Sequence, residues 1–175
     1  MILLTLSFNY VQGDDTSTNI PVKLIVESKY EFHNRFGEYL EILQYQKKSN
    51  FDKLGKISSI VHYDGEGNLQ RKDIYYYNND GFLVELSSYI PDGMLAWKNI
   101  FEYDKHNKIA HEASYDPDGS LAWEDKYKYD KNGHLLEKVS YLIEDEKEYV
   151  SRTFRYDSQN QLVKETSYYP DGKRS

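Results

Sequence analysis

From residue 51 onward, aromatic and apolar side chains recur at a period that no helix carries. Aromatic anchors stand at Phe51, Tyr63, Tyr77, Tyr89, Tyr103, Tyr115, Tyr129, Tyr141, Tyr156 and Tyr168, separated by 12, 14, 12, 14, 12, 14, 12, 15 and 12 residues. The repeating unit is therefore a pair of half-repeats totalling 26 residues. Anchors reached across the long gap read aromatic-x-Tyr (Tyr75/Tyr77, Phe101/Tyr103, Tyr127/Tyr129, Phe154/Tyr156), whereas Ser88, Ser114, Ser140 and Ser167 each precede an anchor reached across the short gap. Four residues after the anchors stand Gly55, Gly67, Gly81, Gly93, Asn107, Gly119, Gly133, Asp145, Asn160 and Gly172. Gly, Asn and Asp tolerate left-handed backbone, so each half-repeat should close a hairpin on a positive-φ residue. Pro91, Pro117 and Pro170 lie two residues after an anchor, where a fixed φ suits a turn and a missing N–H breaks no ladder. The intervening segments are of strand length and show no helical period. They predict an all-β, single-layer antiparallel meander of ten or more strands, twisted, and either open or curled toward a partial barrel.

Upstream, Val22, Leu24, Val26, Tyr30 and Phe32 alternate as in a half-buried strand. The segment Met1–Gly13 ends in Val11-Gln12-Gly13, the small-residue spacing of a signal-peptidase site, but no Lys or Arg precedes it. Residues 1–31 thus read as a leader or edge strand, and residues 32–175 as the repeat domain.

Parity along the strands places every anchor on one side of the sheet, with Trp97, Trp123, Phe101, Ala113 and Val139. Lys98, Glu102, Glu112, Glu124, Lys126, Lys128, Lys138 and Arg155 fall on the other, with Val84, Leu86 and Ile100 as exceptions. One aromatic and one solvated face is the expectation. Composition then makes sense: 15% of residues are aromatic, 18 of them tyrosine, in a chain that is 29% charged. Mean hydropathy is −0.81. A tyrosine hydroxyl can stay wet at the rim of a sheet that no second layer covers.

Charge and cysteine content narrow the function classes. A net charge of −7 repels phosphate backbones and anionic lipid, so neither nucleic acid nor membrane insertion is expected. With no cysteine there is no disulfide or thiolate chemistry.

The runs Tyr103-Asp-Lys-His-Asn, Tyr129-Asp-Lys-Asn-Gly-His-Leu135 and Tyr156-Asp-Ser-Gln-Asn-Gln-Leu162, with Pro-Asp-Gly at 91–93, 117–119 and 170–172, resemble the bacterial Rhs, or YD-repeat, family. The resemblance covers roughly Phe51 to Ser175, with a degenerate copy near Phe32. The 26-residue unit is longer than the usual YD unit, and the toxin tip that many such proteins carry is missing. MORN-type repeats are the second resemblance. Either implies a β-sheet used as a shell, scaffold or binding module in bacteria, with no catalysis in the repeats.

If anchor and following Leu pair symmetrically, Glu85 faces Asn99, His111 faces Asp125 and Glu137 faces Arg152 across the aromatic face. These six, with Trp97 and Trp123 as stacking rings, are the candidate ligand-binding residues, for carbohydrate or protein. The competing account is that the polar pairs satisfy one another within the sheet. His111 with Asp125 could orient an imidazole, but no nucleophile accompanies them, so no enzyme activity and no catalytic residue is expected. Acidic turns such as Asp116–Gly119 and Asp64–Asn68 lack the closing Glu of an EF-hand, and the five histidines lack metal-site spacing, so no metal or cofactor is expected. Glu144–Glu148 reads as a slightly longer solvated loop. The functional expectation is a non-enzymatic binding or scaffold module at the bacterial surface, in the periplasm or secreted, binding glycan through its aromatic face. The alternative is a cytoplasmic antitoxin or immunity-type protein. The oligomeric state stays open.

Overall fold

A computed structural model describes residues 23–144, 147–169 and 171–175, so residues 1–22 of the expected leader or edge strand fall outside the described residues. The chain is all-β: β1 Leu24–Arg35, β2 Glu38–Phe51, β3 Ile57–Asp64, β4 Leu69–Tyr77, β5 Leu83–Tyr89, β6 Leu95–Tyr103, β7 Ile109–Tyr115, β8 Leu121–Tyr129, β9 Leu135–Glu144, β10 Lys147–Tyr156 and β11 Leu162–Ser167. The eleven strands form one sheet in sequence order, with β1 and β11 at the two ends of the order rather than paired to close a barrel. No helix occurs among the described residues. By contact, the strands group into two compact units, one holding residues up to Tyr76 with Ser87–Ala96, the other Tyr77–Leu86 with Trp97–Ser175.

The turns behave as their residue types require. Gly55, Gly67, Gly81, Gly93, Asn107, Gly119, Gly133, Asn160 and Gly172 all have positive φ, between 59° and 88°, while Asp145 lies outside the described residues. Each of these nine turns closes with the same two backbone bonds; at Asp104, for example, Asn107 N–H donates to its carbonyl at 3.0 Å and its own N–H donates to Lys108 at 2.8 Å. A side chain then completes the turn in one of two ways. In Tyr-Asp turns the Asp after the anchor accepts two backbone N–H groups, as Asp104 does from His106 (2.8 Å) and Lys108 (3.0 Å), and Asp130 from Asn132 and His134 (both 2.8 Å). In Pro-Asp-Gly turns the later Asp accepts one, as Asp118 does from Ser120 at 2.9 Å. Because the chain meanders, the Tyr-Asp turns of the second unit share one end of the strands and the Pro-Asp-Gly turns share the other.

These bonds hold carboxyls below the usual aspartate range: backbone bonds from Asn68, Lys108 and His134 do so for Asp64, Asp104 and Asp130, and side-chain bonds from Ser120 and Lys173 for Asp118 and Asp171. A depressed folded-state pKa contributes stability that is present above the unfolded value of about 3.9 and is lost as pH falls through the folded value. Thermal melts should therefore be flat down to about pH 5 and fall steadily below about pH 4. Asp104→Asn with Asp130→Asn should blunt that acid limb without undoing the turns. Asn78 already serves in this position, accepting Phe82 N–H at 2.9 Å. An acid limb unchanged in the double variant would show that these carboxylates do not carry it.

Two expectations fail for one reason. Beside the β6–β7 turn the register slips: Tyr103 pairs with Ile109, but Glu102 pairs with His111, leaving Ala110 as a bulge. The same slip separates Tyr115↔Leu121 from Ser114↔Trp123, and Tyr129↔Leu135 from Lys128↔Glu137. An extra residue on one strand reverses the parity of everything beyond it. The anchors therefore do not share one face, and neither face is purely aromatic. Lys98 and Lys126, expected across the sheet from the tyrosines, lie over the rings of Tyr115 (5.5 Å) and Tyr141 (4.5 Å). Nor are the tyrosine tips simply wet. Tyr103 and Tyr129 hydroxyls each donate to the carbonyl twenty residues earlier, on Leu83 and Ile109, both at 2.8 Å.

Besides the buried carboxylates Asp73, Glu124 and Asp125, the interior holds few apolar side chains. Among the described residues only Ile60 and Ala113 are buried apolar side chains, joined by Ser28, Ser49, Ser87, Ser88 and Ser114. The N-terminal hairpin differs from the repeats: Phe36 and Gly37 both have positive φ (55° and 90°) in a two-residue turn, braced by Gly37 N–H donating to Asn34 at 3.1 Å. The loop expected over Glu144–Glu148 is mostly strand, since Glu144 ends β9, Lys147 begins β10 and the two pair.

Candidate functional site

The slipped register sorts the candidate residues. His111 lies opposite Lys126, not Asp125, and Asp125 lies opposite Glu112. Glu137 lies opposite Arg155 and Lys128, while Arg152 pairs with Ser140 and Ser167. The expected single polar row is thus two rows on opposite faces. In the second unit Trp97, Asn99, Trp123, Asp125 and Arg152 share one face, and His111 and Glu137 share the other. Glu85 precedes His111 by one 26-residue unit and holds the equivalent position in β5.

On the first face, Asn99 stands opposite Ser114, which stands opposite Trp123. Both tryptophans are half-buried. Asn99 Oδ1 is buried with no hydrogen-bond partner, an arrangement that costs about 1–3 kcal/mol when nothing donates to the oxygen. One row further along, Glu112 and Asp125 face each other, and the Tyr127 hydroxyl reaches both, at 3.3 and 3.4 Å. Burial and then those two carboxylates push the Tyr127 hydroxyl well above the ordinary tyrosine range. Lys138 Nζ closes this cluster at 2.7 Å from Asp125 and lies 5.6 Å from the ring centroids of both Tyr127 and Phe154.

On the opposite face, His111 Nε2 lies 2.6 Å from Glu124 Oε2 and its Nδ1 lies 3.6 Å from Glu102. Lys126 pairs with the same Glu124, whose side chain is 9% exposed. The first unit builds a similar triad. His62 Nε2 lies 3.2 Å from Asp73, Arg71 Nε donates to the same carboxylate at 3.2 Å, and Ser88 Oγ donates to it at 2.8 Å. In both triads the histidine faces a cation directly across the strands while a buried carboxylate one step along joins them. These clusters satisfy their own charges, which is a structural use of polar residues. Glu112, Glu124, Tyr127, Arg71 and Asp73 were not among the sequence candidates. The recurring Ser before each short-gap anchor was the available signal for one of them, since Ser88 is the residue that holds Asp73. No group of three or more His, Asp or Glu positioned for a metal ion occurs among the described residues.

No protein-family model matches the chain, and no curated protein matches it. Solved structures do. A porin-like protein from Bacteroides uniformis is similar at 14% identity and a TM-score of 0.43, over 80% of this chain and 51% of that one. The TcdB2-TccC3-Cdc42 structure is similar at 16% identity and a TM-score of 0.35, over 83% of this chain and 8% of that one. A Tc holotoxin pore of Photorhabdus luminescens is similar at 14% identity and a TM-score of 0.40, with the same coverage of 83% and 8%. The chain spans about half the length of the first of these and under a tenth of the other two. Likeness at this level assigns neither a family nor a function.

Proposed function

We propose that this chain is a non-enzymatic scaffold and binding module of the Rhs/YD-repeat kind, displayed at the bacterial surface or secreted, and that it binds glycan through the face bearing Trp97, Asn99 and Trp123. The observation that carries this reading is the Trp123–Ser114–Asn99 row with Trp97 beside it on the same face. Two half-buried rings supply apolar area for the faces of a sugar. His111 and Glu137, turned to the other face, are excluded from this surface.

The test follows tryptophan emission while soluble glycans are titrated in. A saturable change is expected with at least one glycan, and Trp97→Ala and Trp123→Ala should each weaken binding about tenfold, the equivalent of 1.4 kcal/mol. Silence of the wild-type chain across a broad panel would remove the glycan assignment. A second reading, a toxin-binding immunity-type protein, draws on β11, the last strand in the sheet order, where Leu162 and Val163 are 51% and 63% exposed. Recovery of one tight protein partner whose binding is abolished by Val163→Lys would favour it.

A further inference from the structure

The geometry points to a second site, independent of the tryptophan row: a cleft of about 550 Å³ between the β6–β7 and β8–β9 turns that takes a phosphomonoester. It lies at the far ends of β6 and β8 from Trp97 and Trp123, among Tyr-Asp turns. Three such turns and one Tyr-Asn counterpart belong to the second unit, and they read Asn78-Asn79-Asp80-Gly81, Asp104-Lys105-His106-Asn107, Asp130-Lys131-Asn132-Gly133 and Asp157-Ser158-Gln159-Asn160. Lysine occurs only in the middle two, and those are the two that bound the cleft. Lys105 and Lys131 are exposed and make no ion pair among the described residues.

A third lysine is built in. Lys108 lies against Gly133, where an added Cβ would sit 2.6 Å from its Cε, and its Nζ stands 5.3 Å from the Tyr129 ring centroid. Glycine at 133 therefore does two jobs: it supplies the positive φ of 83° and leaves the room in which Lys108 crosses from one turn to the next. The two aspartates in the cleft are committed to their own turns through backbone N–H groups, and Asp130 Oδ2 also meets His134 Nδ1 at 3.1 Å. The bulge residue Ala110, with Tyr127 and Tyr129, provides a lining of small and aromatic groups.

This chemistry selects a class of ligand. Ammonium groups are compact point charges that suit a phosphate dianion, whereas a planar carboxylate is better matched by an arginine fork, and the cleft lining contains no arginine. Tyrosine rings beside the cations favour an ester with an apolar or planar body over the free ion. The chain as a whole is acidic, so the cleft is a local reversal of its field.

The experiment titrates phenyl phosphate, inorganic phosphate and an oligogalacturonate separately into the full chain, following backbone amide chemical shifts by NMR. Phenyl phosphate should move the amides of Lys105, His106, Lys131 and Asn132 saturably, and more tightly than inorganic phosphate. Lys105→Gln with Lys131→Gln should weaken it at least tenfold, whereas Lys53→Gln, in the equivalent turn of the first unit, should not. Equal affinity for inorganic phosphate, tighter binding of oligogalacturonate, no response at these amides, or an unaffected double variant would each overturn the site. Tryptophan emission recorded in parallel reports the other end of the face, so failure here is read apart from failure of the glycan reading.

Discussion

Gly65→Ala should cost about 3 kcal/mol, the upper end of ordinary overpacking, and lower the melting temperature by roughly 6–12 °C for a chain of this length. Gly65 needs no left-handed backbone. What it needs is space, because a Cβ there would overlap the Leu43 carbonyl oxygen, lie 3.1 Å from the Leu43 carbonyl carbon and stand 3.3 Å from the Gln44 oxygen. These are backbone atoms of β2, the strand paired with β3, and they cannot swing aside as a side chain could. Gly67→Ala is the control: nothing lies within 4 Å, but φ is +86°, so only the left-handed penalty of about 1–2 kcal/mol applies. Thermal melts of both variants decide the matter. Equal effects would mean that close approach to β2 is not what holds position 65 to glycine.

Asp73→Ala should be the most damaging side-chain removal in the first unit, at about 1–3 kcal/mol. Asp73 is 5% exposed and is the shared partner of His62, Arg71 and the fully buried Ser88. Truncating it leaves a buried hydroxyl and two cation-capable groups facing an empty acceptor site. Asp73→Asn should lose less, since it keeps an oxygen for Ser88 while discarding the charge. Denaturant unfolding of the two variants provides the comparison. If Asn proved as costly as Ala, the hydrogen bond to Ser88 would contribute little and the charge would dominate.

The turns were legible in the sequence because each is decided locally. A positive φ selects Gly or Asn, and an Asp one or three residues after the anchor caps the loop, so position 107 or 119 could be assigned without knowing anything distant. The β-meander followed from those turns. The faces were not legible, because parity depends on whether a bulge sits beside the turn, and Ala110 looks like any other alanine in a strand. That one-residue slip separated His111 from Asp125 while leaving Trp97, Asn99 and Trp123 together, whereas Glu137 lost Arg152 to where the β9–β10 hairpin closes and to a further shift in mid-strand beside Val150. Residue 65 was also silent: its constraint comes from β2, and no local pattern marks the β2–β3 approach. The Asp73 network escaped for the same reason, since its members are contributed by β3, β4 and β5.

The bulges beside the β6–β7, β7–β8 and β8–β9 turns also govern how such a chain can change length. Trp97 and Trp123, Phe101 and Tyr127, and Glu102 and Lys128 are each one full 26-residue unit apart, and each pair lies on a common face. Duplicating or deleting a whole unit adds or removes two strands and returns every later side chain to its original face and every turn to its original end. Duplicating a single half would leave the chain running the wrong way, with Tyr-Asp and Pro-Asp-Gly turns exchanged between ends. In a lineage of such proteins, two strands are the smallest increment by which length can vary without redesigning the surface.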